Sequence, residues 1–308
     1  MKRINNSNMF AVDIEEEALS RIQRFAKIAK AMDFDIAVGF SGGKDSQVVY
    51  DLCKRAGIKF TAYYNECFES NVTKKFIRDN YPDVIWRREH KFGFIQNIAE
   101  NHKGLLPTVQ RAFCCEDYKH NSKYVDKCSM PGVRKTESKA RSNRTAISFK
   151  NKTTRKKMQH IVDEYFMENC QSTGTANIIA LYPIVDWTDD DVWNYINAHN
   201  LPINPEYSEY KRIGCIVCPK ANFTSNYKSL LKYPKLIDAF IWAKSFSPNC
   251  NWVITSENAD FSDDKVRYIC RWLNHSFMPF TKKQEVLFEQ VKSKYEEVHK
   301  NDKNEHNT

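Results

Sequence analysis

No apolar run in this 308-residue chain approaches the roughly 20 residues that a membrane-spanning helix requires, so no membrane segment is expected. The opening residues, MKRINNSNMF, lack the apolar core of a secretory signal, which predicts a cytoplasmic protein. No internal repeat is visible. The eight histidines show no metal-ligand spacing, and no Ser/His/Asp arrangement can be read from the chain. A hydrophobic share of 42% with 13% aromatics excludes general disorder and leaves enough for a real core. A net charge of +9 fits a polyanionic ligand and does not separate a nucleotide from a nucleic acid. Ten cysteines in a chain of this length point to metal, redox chemistry or core filling before disulfides.

What is present begins at Ser41-Gly42-Gly43-Lys44-Asp45-Ser46. The short run Ile36–Phe40 leads in and is rich in strand formers, while Gln47–Leu52 leads out with the apolar spacing of a buried helix face. A strand that turns through two glycines into a helix places backbone N–H groups around a concave spot at the positive end of a helix dipole. Such a spot suits an anion, most often phosphate. Gly42 and Gly43 permit the tight turn, Lys44 adds a mobile cation, and Ser41 and Ser46 add hydroxyls. The usual nucleoside-triphosphatase loop is excluded. Only three residues separate Gly39 from Gly43, and Lys44 is followed by Asp45. A plain glycine turn with no ligand is the bland alternative.

Around the loop the pattern predicts a helix over 13–32, a strand over Ile58–Asn65, a helix over Val72–Asn80, a strand over Val84–Arg88 and a helix over Phe92–Glu100. This rhythm implies a doubly wound α/β fold with a mainly parallel five- or six-stranded sheet, whose ligand binds at the carboxyl ends of the strands. Asn177–Leu181 reads as a further strand. Thr188 with Asp191 makes a capping-box start for a helix through Val192, Trp193, Tyr195 and Ile196. Tyr227–Phe246, Asp263–Leu273 and Lys282–His299 read as helices, and the tail from Asn301 as frayed. The expected organisation is a nucleotide-binding domain over 1–220 and a helical extension over 221–308. Within the first, 134–157 is a basic insertion with ten Lys or Arg and the single acid Glu137. It is either a solvated loop or a flap that closes over phosphates or touches a nucleic acid backbone.

Cys114-Cys115 and Gly214-Cys215-Ile216-Val217-Cys218-Pro219 offer four thiolates from two loops, which suits zinc or an iron–sulfur cluster. Adjacent cysteines reach one tetrahedral zinc only with backbone strain, whereas a [4Fe–4S] cluster presents separate irons. The cluster is therefore favoured. Reduced core cysteines without metal, or a Cys-x-x-Cys redox site, are the alternatives. Cys53, Cys67, Cys128, Cys170, Cys250 and Cys270 lack such spacing.

With these pieces the chain resembles the phosphoadenylyl-sulfate and adenylyl-sulfate reductase family from Ile36 to Pro219. Ser41–Ser46 looks like the pyrophosphate loop of adenine-nucleotide α-hydrolase-like enzymes. Pro183-Ile184-Val185-Asp186-Trp187-Thr188 with Asp191-Val192-Trp193 looks like a second family stretch, and Leu201-Pro202 with Asn204-Pro205 and Tyr207 like the segment before Gly-Cys-x-x-Cys. Gly132-Val133-Arg134 with Glu137-Ser138 and Arg141 is similar to a further motif of these relatives. The resemblance implies an adenine nucleotide as substrate, bound by Ser41, Gly42, Gly43, Lys44, Asp45, Ser46, Gly132 and Arg134, with Lys44 and Arg134 catalytic. Arg134 would offer a planar fork to phosphate or sulfate oxygens, an ion pair with Glu137 being its structural alternative. The double Cys resembles the cluster-binding branch, in which Cys114, Cys115, Cys215 and Cys218 would hold [4Fe–4S] near the substrate. A thioredoxin-like or other sulfur or electron donor would be its partner.

Two features depart from the reductases. They carry a catalytic cysteine near the carboxyl terminus in a Glu-Cys-Gly context, and this chain has none after Cys270. The basic 139–157 stretch is also unlike the compact reductases. Both bring the chain nearer to ATP pyrophosphatases that activate a target for sulfur insertion, such as DNA-phosphorothioation enzymes, with Mg2+ at Asp45 if ATP is cleaved. A zinc-stabilised, basic nucleic-acid-binding module is the reading outside enzymes.

Overall fold

The computed structural model describes residues 2–4, 11–88, 92–119, 127–166, 170–172, 178–248, 252–254, 259–274 and 279–305. Cys250 lies outside them. The chain divides into two compact units. The first comprises 1–66, 71–87 and 120–213, the second 67–70, 88–119 and 214–308. The boundary expected at residue 220 does not coincide with this division. Three stretches of the expected first domain, 67–70, 88–119 and 214–220, belong to the second unit.

The first unit is built on a seven-stranded sheet. Its strands in chain order are β1 (Ile36–Gly39), β2 (Thr61–Asn65), β3 (Ile85–Arg87), β4 (Cys128–Pro131), β5 (Ile147–Phe149), β6 (Cys170–Ser172) and β7 (Ile179–Leu181). Their spatial order is β3-β2-β1-β4-β7-β5-β6. The first five in that order run parallel; β5 lies antiparallel to β7 and carries β6 parallel to itself. The expected α/β class with a mainly parallel sheet is therefore present, with one strand more than the upper expectation.

Early in the chain this unit forms the helices α1 (Ile14–Ala31), α2 (Lys44–Arg55) and α3 (Asn71–Asn80). Asp13 caps α1 by accepting the Glu15 amide at 3.0 Å, and Glu15, Glu16 and Glu17 face the positive end of its dipole. Its apolar stripe, with Ile22, Phe25 and Ile28, joins Val38 of β1 and Val48, Val49 and Leu52 of α2 in one core.

Register places the site. Gly39 at the carboxyl end of β1 pairs with Pro131 at the carboxyl end of β4, so both strands deliver their following loops to the same end of the sheet. There α6 (Asp189–Ala198) also begins, with Thr188 and Asp191 forming the expected capping box. The basic stretch is more than a solvated loop. Arg134 is buried, Lys135–Glu137 and Lys139–Arg141 are single 3₁₀ turns, Ile147–Phe149 is a wholly buried strand, and α5 (Lys152–Tyr165) starts within it.

The second unit is helical: α4 (Phe94–Glu100), α7 (Phe223–Lys232), α8 (Leu236–Ser245), α9 (Lys265–Trp272) and α10 (Lys282–Glu305). The single helix expected over Tyr227–Phe246 is broken at Tyr233-Pro234, because the proline ring disfavours helical geometry in the residue before it. The last helix runs on to Glu305, past the expected fraying point, since each residue added to an existing helix gains a hydrogen bond. Phe94, Ile98, Phe240, Trp272 and Phe288 form the core of this unit. Among the described residues no helix is long and apolar enough to cross a membrane.

Candidate functional site

The Ser41–Ser46 loop joins β1 to α2 as expected, and its conformation explains its glycines. Gly42 has φ +71°, a region that side chains rarely enter, and a Cβ there would lie 2.9 Å from Cγ1 of Ile77. Gly43 is the N-cap of α2 and lends it no side-chain cap. The loop amides are turned inward onto hydroxyl oxygens. The Ser41 amide donates to Ser46 Oγ at 3.1 Å, that of Gly43 to Ser41 Oγ at 3.4 Å, and that of Lys44 to Tyr207 Oη at 2.8 Å. Ser46 Oγ in turn donates to the Gly43 carbonyl at 2.8 Å.

Gly132 follows β4 directly. A Cβ on it would lie 2.7 Å from the Asp45 carbonyl carbon and oxygen and 2.8 Å from the Ser46 nitrogen, so only glycine lets the two segments touch. Two residues on, the Arg134 side chain reaches the loop. Its Nε donates to Asp45 Oδ1 at 2.5 Å, its Nη2 to Asp189 Oδ1 at 2.8 Å and its Nη1 to Thr136 at 3.0 Å. Lys44 Nζ lies 2.8 Å from the same Asp189 oxygen and 3.2 Å from Asp45 Oδ2. Both cations are nearly buried, at 6% exposure for Lys44 and 3% for Arg134. Burial alone would lower the Arg134 pKa, but the charge of Asp45 and the hydrogen bonds to both carboxylates hold it above its ordinary value. Burial would raise the Asp189 pKa, but hydrogen bonds and charge from Lys44 and Arg134 outweigh it and hold the carboxyl below the usual range.

The Arg134–Glu137 ion pair is not what fixes this arginine. Only the Arg134 backbone amide donates to Glu137, at 2.9 Å, and the Glu137 carboxylate pairs with Arg141 and Arg212. The two cations also take the oxygens of the Asp45 carboxylate.

Three residues enter that the sequence did not assign to the site. Asp189 is part of a capping run, and Asn204 and Tyr207 are part of a family-like segment. Nothing local reveals that Asp189 bridges Lys44 and Arg134, or that Tyr207 caps the Lys44 amide. Asn204, wholly buried, donates to the Gly42 carbonyl at 3.1 Å and to Thr73 Oγ1 at 3.2 Å and accepts the Glu206 amide at 3.1 Å. Asn204→Ala should therefore lower stability by about 1–3 kcal/mol, the cost of orphaning buried partners, as read from a denaturant midpoint. An unchanged midpoint would mean that water replaces the amide at no cost.

All these residues belong to the first unit; the four expected thiol ligands belong to the second. Cys114 ends a short helical turn, and Cys115 opens a π-helical turn through Lys119. A hydrogen bond from Cys114 depresses the Cys115 thiol against the effect of burial, with Lys220 and Lys119 adding to it, to about 6. Cys114 is pushed up by that same hydrogen bond, by burial and by the charges of Cys115, Cys215 and Cys218. Cys218 is pushed up by burial and by Cys215. Asn226, wholly buried, holds the Cys-x-x-Cys turn by accepting the Cys218 amide at 3.1 Å and donating to its carbonyl at 3.0 Å. A fifth thiol, Cys67, lies with them, its sulfur 3.6 Å from that of Cys215, although no spacing marks it. Glu69 accepts the Cys67 amide at 2.8 Å and pairs with Lys119 at 2.8 Å. Among the described residues no three Cys, His, Asp or Glu side chains converge to hold a single metal ion.

Known proteins resemble this chain. An uncharacterized protein of Methanocaldococcus jannaschii is 23% identical over 273 residues, 84% of this chain and 57% of that one. Adenosine 5'-phosphosulfate reductase of Staphylococcus haemolyticus is 32% identical over 181 residues, 58% of each chain. Sulfate adenylyltransferase subunit 2 of Shewanella amazonensis is 23% identical over 216 residues, 65% of this chain and 69% of its own. The chain thus spans little more than half the length of the first two. A crystal structure of phosphoadenylyl-sulfate reductase from Candida auris in complex with phosphate aligns at 14% identity and a TM-score of 0.43, over 63% of this chain and 87% of that one. The phosphoadenosine phosphosulfate reductase domain matches residues 35–221, which include the loop, Gly132, Arg134 and all four cysteines. The chain belongs to the phosphoadenosine phosphosulfate reductase family.

Proposed function

We propose that the chain is an adenine-nucleotide-dependent enzyme. It binds adenylyl sulfate, phosphoadenylyl sulfate or ATP at the Ser41–Ser46 loop, and it reduces the sulfonucleotide or transfers sulfur with the help of a [4Fe–4S] cluster. One observation carries the nucleotide part. Inward-turned amides, a nearly buried ammonium and a nearly buried guanidinium converge at the positive end of α2. Hydroxyl oxygens of Ser41, Ser46 and Tyr207 accept those amides, and a bound phosphate would compete with them for these donors. Lys44 and Arg134 would neutralise the charge that builds on phosphate or sulfate oxygens as the bond to the nucleotide breaks. The planar Arg134 fork would also fix the orientation of the group under attack.

The donor chemistry of the second unit fits a cluster. Four thiols come from two segments of that unit, the charges of Cys115, Cys215 and Cys218 act on Cys114, and Lys119 and Lys220 favour the charged form of Cys115. Cys114, Cys115, Cys215 and Cys218 would be its ligands. When bound, such a cluster supplies a charged, electron-exchanging centre. A thioredoxin-like donor would then provide the electrons for reduction.

A second reading is favoured by Cys270. This thiol is wholly buried, and burial pushes it up to about 12, so it is no substitute for the reductases' nucleophile. On that reading the enzyme is an ATP pyrophosphatase that adenylates a target, a nucleic acid among the candidates, for sulfur insertion. The carboxylate of Asp45 has the hard oxygen donors that Mg2+ prefers and would hold it with the polyphosphate.

Incubating the protein with ATP, and separately with adenylyl sulfate plus a thiol donor, tests both. Sulfite release supports reduction; pyrophosphate release supports the second reading; neither product defeats both. Lys44→Ala should lower kcat/KM of whichever reaction is found by about 10²–10³-fold, the scale of one lost charge-stabilising group. Unchanged turnover would remove Lys44 from the chemistry.

A further inference from the structure

Within the charge pattern of the loop, one carboxylate stands apart. Lys44 and Arg134 give hydrogen bonds to two acids, Asp45 and Asp189. Two cations facing two anions leave the local charge near zero, which is a poor welcome for a polyphosphate. The acids are not equivalent. Asp45 lies in the first turn of α2 and its side chain is 23% exposed, whereas Asp189 is the first residue of α6 and 63% exposed. A single Asp189 oxygen takes 2.8 Å contacts from both Lys44 Nζ and Arg134 Nη2. One turn about its side-chain bonds would release both cations together into the site.

We propose that Asp189 is a specificity-determining residue: an internal competitor that occupies the anion-binding cations and yields them only to a ligand with enough negative charge to displace it. A linked chain of phosphates, or a phosphate joined to sulfate, meets the amides and both cations at once and offsets the loss of the two ion pairs. The single phosphate of a nucleoside monophosphate engages fewer of these groups and competes less well. The consequence is discrimination against AMP, the nucleotide left after reaction, in favour of the intact substrate. The proposal rests on the nucleotide reading for its biological sense, but its physical content concerns anions alone.

Binding of inorganic pyrophosphate, ATP and AMP at fixed ionic strength, measured by titration calorimetry, tests it. Wild type is compared with Asp189→Asn and with Asp190→Asn. The amide introduced by Asp189→Asn would keep an acceptor oxygen and the helix position but lose the charge. Asp190 is exposed and stands outside the ion pairs of both cations, so its variant controls for net charge. Losing two partly exposed ion pairs should tighten pyrophosphate binding by roughly two- to tenfold in Asp189→Asn. The preference for ATP over AMP should narrow by a similar factor, with Asp190→Asn close to wild type. An unchanged or weaker affinity in Asp189→Asn, an equal gain in Asp190→Asn, or no pyrophosphate binding by any of the three overturns the proposal. If ATP binds the wild type without a gain in Asp189→Asn, the competitor role falls and the nucleotide reading stands. If pyrophosphate shows the gain while ATP does not bind, the reverse holds.

Discussion

Replacing Gly132 by alanine is expected to weaken nucleotide binding by roughly 100-fold in a chain that still folds. The added carbon would sit 2.7 Å from the carbonyl carbon and oxygen of Asp45 and 2.8 Å from the nitrogen of Ser46. These are backbone atoms in the first turn of α2, so no side chain can rotate to make room. Either the end of β4 or the start of α2 must move, and the second carries the inward-turned amides with it. Forcing a methyl group into such a contact costs about 1–3 kcal/mol of stability. The functional loss should be larger, because a displacement of about 1 Å in a positioned site costs roughly 100-fold. Gly214, where a Cβ would meet nothing within 4 Å, is the control. Gly132→Ala should lower the urea midpoint and reduce ATP and pyrophosphate affinity at least as much as Lys44→Ala does, with Gly214→Ala resembling wild type. Full affinity in Gly132→Ala would show that the contact between the two segments has no part in holding the anion.

This contact also marks how far the sequence could be read. The strand-glycine-helix passage at Ile36–Leu52 was legible because its conformational demands are local, and the Gly-Val-Arg triplet because its residue types match a known pattern. Three of the strands were not legible. Cys128–Pro131, Ile147–Phe149 and Cys170–Ser172 hold three or four residues each, with no alternation, and Ile147–Phe149 lies among lysines and arginines. Such short buried strands owe their state to sheet neighbours, not to their own propensity. The same holds in the site. Thr188 with Asp191 explains the start of α6 so well that Asp189 needs no further role locally, yet its carboxylate bridges cations some 55 and 145 residues away. Cys67 has no spacing to any other cysteine and still lies 3.6 Å from Cys215, because the stretch at Phe68 and Glu69 bridges to Cys215 and Ile216. Partnerships made by topology leave no trace in period or spacing.

For the thiol group the expected result is loss of iron, not of fold alone. Wild-type protein purified anaerobically should be brown, with about four irons and matching acid-labile sulfide per chain. Serine is a hard, weak ligand for iron, so Cys114→Ser, Cys115→Ser, Cys215→Ser and Cys218→Ser should each lose most of that iron. Since metal binding contributes to folding free energy, the same variants should melt earlier than wild type, and the difference should vanish when iron is withheld from both. Cys67→Ser separates ligands from neighbours. Its sulfur meets that of Cys215 and lies outside the expected four, so iron content should hold while the absorption spectrum shifts through the lost S–H contact. Loss of iron in Cys67→Ser with retention in one of the four would reassign the ligand set to include Cys67. A colourless wild type with about one zinc would support the zinc reading and remove electron exchange from the chemistry, leaving the nucleotide loop to stand on its own assays. A metal-free wild type that melts like its serine variants would mean that these cysteines serve only the core of the second unit.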